Sequence, residues 1–141
     1  MYRKTKAADY VHHPVNSVNL LKRLASISHW VPKLNLKIQL LNSANDSFLL
    51  QEDYQNALFG LADLREFVNI NTFKLAKGII QNHITGERFY ASSGLSSSDL
   101  MKIASEARKS NYLEGYVDWL KTALKCAEQE GKSFDFISKI R

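Results

Sequence analysis

The chain has 141 residues, of which 45% are hydrophobic and 23% are charged, and this balance excludes an intrinsically disordered protein. Its net charge of +5 reflects a basic N-terminal arm, because the residues up to Arg23 include five Lys or Arg against Asp9 alone. A basic arm alone is weak evidence for nucleic-acid binding, and no apolar run approaches the roughly 18 residues that span a bilayer, so we expect neither a nucleic-acid partner nor membrane insertion.

The first predicted helix covers residues 15–31. Its apolar side chains recur at helical spacing, which places them on one face: Leu20, Leu24, Ile27 and Val31. Pro32 is expected to end or kink this helix. From Leu34 to Leu40 apolar and polar residues then alternate, which is typical of a strand. Because no partner strand is apparent, we expect this segment to be helical or irregular.

A second helix, over residues 48–69, has the clearest pattern in the chain. Its apolar residues repeat alternately every four and every three positions, as in the a/d seam of a coiled coil: Leu50, Tyr54, Ala57, Leu61, Leu64 and Val68. We expect this assembly seam to pair with another copy of the chain. Leu58 and Phe67 widen the apolar stripe, so the helix is also suited to packing inside its own chain.

A short third helix is predicted from Asn71 or Thr72, either of which can cap it, to about Gln81. The following residues contain Gly86 and a serine- and glycine-rich run, which are typical of a loop. We therefore divide the chain into three parts. These are an N-terminal helical assembly region (residues 1–82), a linker (83–94) and a second helical unit (95–141).

The second unit is predicted to be a helical hairpin. Ser96 and Asp99 have the spacing of a capping box that begins a helix. Asn111 separates this helix from the next one, and Gly131 is placed to end that helix as a C-terminal cap.

The hairpin matches the tetratricopeptide pattern in part. The small residues Ala104 and Ala123 fall where paired helices approach closely, whereas Tyr116 is larger than the residue usual at its position. A single repeat unit needs neighbours to bury its faces. The predicted fold is therefore all-α, with a long amphipathic, coiled-coil-like helix in the N-terminal region followed by a tetratricopeptide-like hairpin.

No catalytic or metal-binding constellation is evident in the sequence. The four histidines, which are His12, His13, His29 and His83, form no HxD, HExxH or HxxxH arrangement. Cys126 is the sole cysteine, which excludes an internal disulfide and any CxxC motif. We expect it to be a small buried apolar residue. We predict no catalytic residue and no metal ligand on this chain.

The most distinctive run of residues in the chain is His13-Pro14-Val15-Asn16, followed by Leu21-Lys22-Arg23-Leu24. This run resembles a stretch in the N-terminal part of collagen prolyl 4-hydroxylase alpha subunits. Later segments follow in the order that the family has: Asp53 to Leu64, Phe73 to Ile80, Leu95 to Asp99, and the hairpin up to Leu124. The similarity covers nearly the whole chain after about Val11. The evidence for it is the order and spacing of the segments.

This resemblance implies that assembly, peptide binding and catalysis belong to separate parts of the protein. In the family, the N-terminal helices serve subunit assembly, and a tetratricopeptide-like domain binds proline-rich procollagen chains. Iron, 2-oxoglutarate and ascorbate belong to a separate catalytic domain that is absent here, so procollagen-proline 4-dioxygenase activity needs parts outside this chain. The resemblance also implies the endoplasmic reticulum lumen, although no signal peptide is visible, and partnership with a disulfide isomerase-like beta subunit.

The expected peptide-binding residues lie on the hairpin. Met101, Ser105 and Arg108 share one face of its first helix, where such hairpins bind extended peptides. Tyr112 and Tyr116 are further candidates, because proline rings pack flat on aromatic side chains. Family members tend to carry a tyrosine at the Arg108 position. The ordered resemblance of several segments, and not the residue at position 108, leads us to expect a non-catalytic part that serves assembly and binds collagen-like peptide. The alternative is a helical homodimer or adaptor that binds no peptide.

Overall fold

The computed structural model of the chain describes residue 10 and residues 12–34, 45–82, 84–133 and 137–138. Side chains are described for all of these residues except those at positions 28–34 and 45–50. In chain order its elements are α1 (Pro14–Leu34), α2 (Asn45–Val68), α3 (Thr72–Ala76), β1 (Ile79–Gln81), β2 (Arg88–Tyr90), α4 (Ser97–Lys109) and α5 (Leu113–Gln129). The described residues are mainly helical, which confirms the predicted all-α class. The alternating residues after Leu34 lie outside the described part of the chain.

Helix α1 differs from its prediction in two respects. It continues past Pro32 to Leu34, since a proline in the last turn removes only one backbone hydrogen bond. Its buried side chains lie in its first half, where Val15 and Val18 are at most 1% exposed. In contrast, Leu24 and Ile27, which were expected on the apolar face, are 39% and 58% exposed.

A β-hairpin replaces the end of the predicted third helix. Asn71 caps α3 as expected, but the helix stops at Ala76 rather than near Gln81. Gly78 follows with a φ of +75°, a left-handed conformation that glycine adopts without strain and that turns the chain into β1. Strands β1 and β2 form an antiparallel pair, so the predicted linker contains a strand.

The ends of α4 and α5 follow the local signals in the sequence. The Ser96 hydroxyl accepts from the Asp99 N–H, and the Asp99 carboxylate accepts from the Ser96 N–H, which confirms the capping box. Asn111 and Gly131 end the two helices with φ values of +62° and +64°. In each case the N–H of the following residue donates a hydrogen bond to a carbonyl in the last turn of the helix. Tyr112 donates to Ala107 at 2.9 Å, and Lys132 donates to Ala127 at 3.0 Å.

The hydrophobic core draws on helices from both predicted units. Helix α4 packs against α5 and α2, while α2 also contacts α1, and α3 contacts α5. The largest fully buried apolar side chains are Trp119, Leu58, Leu61, Leu75, Leu100 and Ile103. Ala104 and Ala123, the small residues of the tetratricopeptide pattern, are fully buried. The tetratricopeptide likeness and the boundary between the units remain predictions.

Candidate peptide-binding and assembly surfaces

The predicted peptide-binding residues of α4 lie beside its buried face. Leu100, Ile103, Ala104 and Ala107 fill that face and are at most 1% exposed. Met101, Ser105 and Arg108 follow one another at spacings of four and three, which aligns them along a neighbouring edge. Met101 is half-buried against the core, whereas Ser105 and Arg108 are exposed. This edge therefore becomes more accessible towards the C-terminal end of α4.

Arg108 and Tyr116 meet across the hairpin. The guanidinium carbon of Arg108 lies 5.8 Å from the centroid of the Tyr116 ring, within the range of a cation–π contact. Tyr116 is half-buried and packs against the hydrophobic core, so its ring is held in place. Two of the predicted binding residues thus contact each other, and we call this pair, which joins α4 to α5, the Arg108–Tyr116 platform.

Tyr112 has a different environment, at the turn between α4 and α5. Its ring contacts Phe67 of α2 edge-on, with 6.2 Å between the centroids and 81° between the planes. Phe67 is 76% exposed, so this aromatic pair lies at the surface. The contact joins the hairpin turn to the C-terminal end of α2.

The predicted assembly seam is divided between the core and the surface. Tyr54 and Leu61 are 4% and 1% exposed and lie inside the chain's own core. Ala57 and Leu64 are half-buried, and Val68 is 52% exposed. The Leu50 side chain lies outside the described residues. The accessible part of the seam is therefore the C-terminal end of α2.

A buried polar cluster joins three helices at Asp99. Lys22 Nζ of α1 lies 2.7 Å from Asp99 Oδ2, and the Tyr54 hydroxyl of α2 donates to Asp99 Oδ1 at 3.1 Å. The Ser96 hydroxyl also donates to Oδ2, at 2.6 Å. The Asp99 side chain is only 2% exposed, and these partners satisfy its charge. Burial and the negative charge of Asp99 raise the pKa of the Tyr54 hydroxyl.

Sequence reasoning identified three members of this cluster in other roles, since Ser96 belongs to the capping box together with Asp99. Asp99 was recognised as the acid of a capping box, and Tyr54 as part of the assembly seam. The Lys22 contact was missed, because the two residues of the ion pair are 77 positions apart and no local spacing indicates it. Cys126, by contrast, is buried as expected, and burial raises the pKa of its thiol.

Two further features bear on function. Within the described part of the chain, no three His, Cys, Asp or Glu side chains lie close enough together to hold a metal ion. None of the described helices combines the length and the apolar character that crossing a membrane requires.

Comparison with protein families yields a match, whereas comparisons with curated proteins and with solved structures find none. The model of the prolyl 4-hydroxylase alpha-subunit N-terminal region matches residues 2–82, which is more than half of the 141 residues. The match includes the His-Pro-Val-Asn turn that begins α1, all of α2 and the described residues of α3 and β1. On this evidence, the chain belongs to the prolyl 4-hydroxylase alpha-subunit N-terminal region family.

Proposed function

We propose that this chain is the non-catalytic N-terminal part of a procollagen-proline 4-hydroxylase alpha-subunit-like protein, which serves subunit assembly and binds proline-rich, collagen-like peptide. The observation that carries the proposal is the family match over residues 2–82, followed in the chain by a well-packed helical hairpin. The assembly role belongs to the matched region, and the peptide-binding role belongs to the hairpin.

The platform of Arg108 and Tyr116 supports the peptide-binding role. A polyproline II chain has no internal hydrogen bonds and presents flat pyrrolidine rings on three sides. Such rings pack well on aromatic faces, and a guanidinium group also offers a flat surface with donors at its edge. Ser105 lies one turn before Arg108 and adds a hydroxyl that can bond a peptide carbonyl.

Proline hydroxylation itself would take place in another part of the protein. Hydroxylation of proline would use iron, 2-oxoglutarate and ascorbate in a separate catalytic domain. Among the described residues of this chain, no group of three His, Cys, Asp or Glu side chains could hold a metal ion. As part of the same proposal, the protein resides in the endoplasmic reticulum lumen and pairs with a disulfide isomerase-like beta subunit.

A titration with a (Pro-Pro-Gly)-type peptide tests the peptide-binding role. We expect saturable NMR shifts at Met101, Ser105, Arg108 and Tyr116. Replacing the guanidinium by a second aromatic ring, in Arg108→Tyr, should tighten binding about 3- to 10-fold, since an added aromatic contact is worth about 0.5–1.5 kcal/mol. Lys109→Tyr is the matched control, because Lys109 is exposed next to Arg108 but lies on another side of α4.

Three outcomes bear on the proposal. Tighter binding by Arg108→Tyr alone would support a proline-binding platform on the hairpin. Equal effects of the two substitutions would show that added apolar surface, rather than this platform, is responsible. The absence of shifts at millimolar peptide, in both the wild type and Arg108→Tyr, would contradict peptide binding by this chain. It would favour the adaptor alternative.

A further inference from the structure

An exposed apolar surface lies where the C-terminal end of α2 meets the start of α5. Leu113 and Val117, one turn apart on α5, are 63% and 44% exposed. Phe67 of α2 is 76% exposed and contacts the Tyr112 ring, so the apolar surface continues from α5 onto α2. A contiguous apolar surface is uncommon on a single soluble chain and marks an interaction site. We call these residues the α2–α5 patch.

The chain's own packing holds the two helices of this patch together. Gly115 of α5 is buried, and a Cβ atom there would lie 3.4 Å from the Glu66 carboxylate and 3.7 Å from the Arg65 Cγ. The Arg65 guanidinium also donates twice to Asp118 Oδ2, at 3.0 and 2.6 Å. The patch is therefore a preformed surface, and the charge of Asp118 is satisfied within the chain.

Two exposed charges beside the patch have no such partner. A groove of about 420 Å³ lies on this face and is lined by Arg65, Leu113, Glu114, Val117, Asp118 and Lys121. Within the described residues, Glu114 and Lys121 form no ion pair. They are two helical turns apart on one face of α5, which separates them by roughly 10 Å along the helix axis, too far for them to pair with each other.

The positions of these charges match a second copy of the same surface. In a symmetric dimer both copies use one surface, related by a two-fold axis. If that axis passes midway between Glu114 and Lys121, close to Val117, the two α5 helices run antiparallel. Glu114 of each copy then lies opposite Lys121 of the other, and the exposed Leu113 lies opposite the half-buried Leu120. Charges that flank an apolar contact in this way determine partner and orientation.

We propose that the α2–α5 patch binds the same patch of a second copy of this chain, with the α5 helices antiparallel and Glu114 paired with Lys121 in both directions. The pairing rests on the proposed assembly role and adds to it a surface on the helical hairpin, outside the residues 2–82 that the family model matches. Phe67 is adjacent to Val68, the accessible end of the assembly seam, so one interface includes both surfaces.

Charge reversal tests this pairing by sedimentation equilibrium at low ionic strength. Glu114→Lys places lysines opposite each other across the dimer, and Lys121→Glu does the same with glutamates. Each substitution should weaken the dimer about 10- to 100-fold, because it turns two attractive pairs into repulsive ones. Glu52→Lys is the matched control, because it makes the same change at an exposed position of α2, roughly 24 Å before the end of that helix. Its dimer should be as tight as that of the wild type.

Mixing the two variants makes the test specific. In an equimolar mixture each lysine of one variant faces a glutamate of the other. The mixture should therefore sediment as a dimer at concentrations at which each variant alone is a monomer. The chain that carries both substitutions should also dimerise, within about 3-fold of the wild-type Kd. A variant that had lost its fold would not regain affinity on mixing.

The outcomes separate this pairing from the assembly role on which it rests. Dimers that survive both reversals but dissociate with Val68→Lys would overturn the pairing and leave assembly through α2 intact. Loss of the dimer without recovery in the mixture would overturn it as well. A monomeric wild type would overturn both self-pairing through α2 and the pairing of α5, and would leave this face to a different protein.

Discussion

Burial raises the pKa of the Asp99 carboxyl group, but hydrogen bonds from Lys22 and Ser96 outweigh this effect and hold the pKa below its ordinary value of 3.8. The unfolded chain therefore binds the proton at a higher pH than the folded chain does. Asp99 stabilises the fold at pH values above this ordinary value, which applies to the unfolded chain, and that contribution is lost as the pH falls through the lower pKa of the folded chain.

The substitution Asp99→Asn tests this role. It should lower the free energy of unfolding near neutral pH by about 2–4 kcal/mol, because Lys22 and Tyr54 lose a charged acceptor. Urea unfolding at neutral pH and at a pH of about 3 should show a smaller acid-induced loss for the variant than for the wild type. Asp53→Asn, at an exposed position of α2, is the control. A variant as stable as the wild type at neutral pH would show that the cluster does not stabilise the fold.

Residue roles were predictable where their partners are close in sequence. The cap formed by Ser96 and Asp99 follows from a three-residue spacing, and the left-handed Asn111 follows from a break between two apolar patterns. Tyr54 was assigned to a seam because helical spacing indicates which side chains share a face. Spacing does not identify what that face contacts, so the bond from Tyr54 to Asp99, 45 residues away, was not predictable.

At the scale of elements, long helices were easier to predict than the β-hairpin. Helices α2, α4 and α5 each contain several apolar repeats, whereas β1 and β2 have three residues each, too few to establish a period of two. Gly78 was the available signal, because a glycine inside a predicted helix often marks its end.

The two glycines beside the strands provide a test of how the hairpin is held. Both have left-handed φ values, +75° at Gly78 and +72° at Gly86. A Cβ atom at Gly78 would lie 2.7 Å from the Ala91 Cβ, whereas one at Gly86 would meet nothing within 4 Å. In thermal or chemical unfolding, Gly86→Ala should cost about 1 kcal/mol from backbone strain, and Gly78→Ala about 2–4 kcal/mol from strain plus crowding. Equal losses would mean that β1 adjusts freely to the added methyl group.

At the scale of the whole molecule, α2 contributes to the chain's own core and is also the proposed assembly element. Tyr54 and Leu61 are occupied by intramolecular packing, so pairing with a second copy would involve the exposed end of the seam near Val68. The sequence indicated both possibilities, because the stripe on α2 is wider than a strict a/d seam. It did not indicate which residues serve which purpose, since that depends on where α1 and α4 cover the helix.

Sedimentation of the chain and its variants separates these roles. The wild type should sediment as twice its monomer mass of 16.1 kDa. Val68→Lys should shift the population to monomer with little loss of stability, because Val68 is 52% exposed at the last residue of α2, where a positive charge is favourable. Asn56→Lys, exposed on α2 outside the seam, should remain dimeric. A monomeric wild type at high protein concentration would argue against assembly through this seam.

The polar cluster at Asp99 has a consequence for how the protein is made. A chain is synthesised from its N-terminus, so the whole stretch that the family model matches is made before Asp99 is added. Until then Lys22 and Tyr54 have no carboxylate to bind, and the buried leucines of α2 lack the α4 side chains that share their core. The matched stretch can therefore complete its polar and apolar contacts only after α4 and α5 have been made.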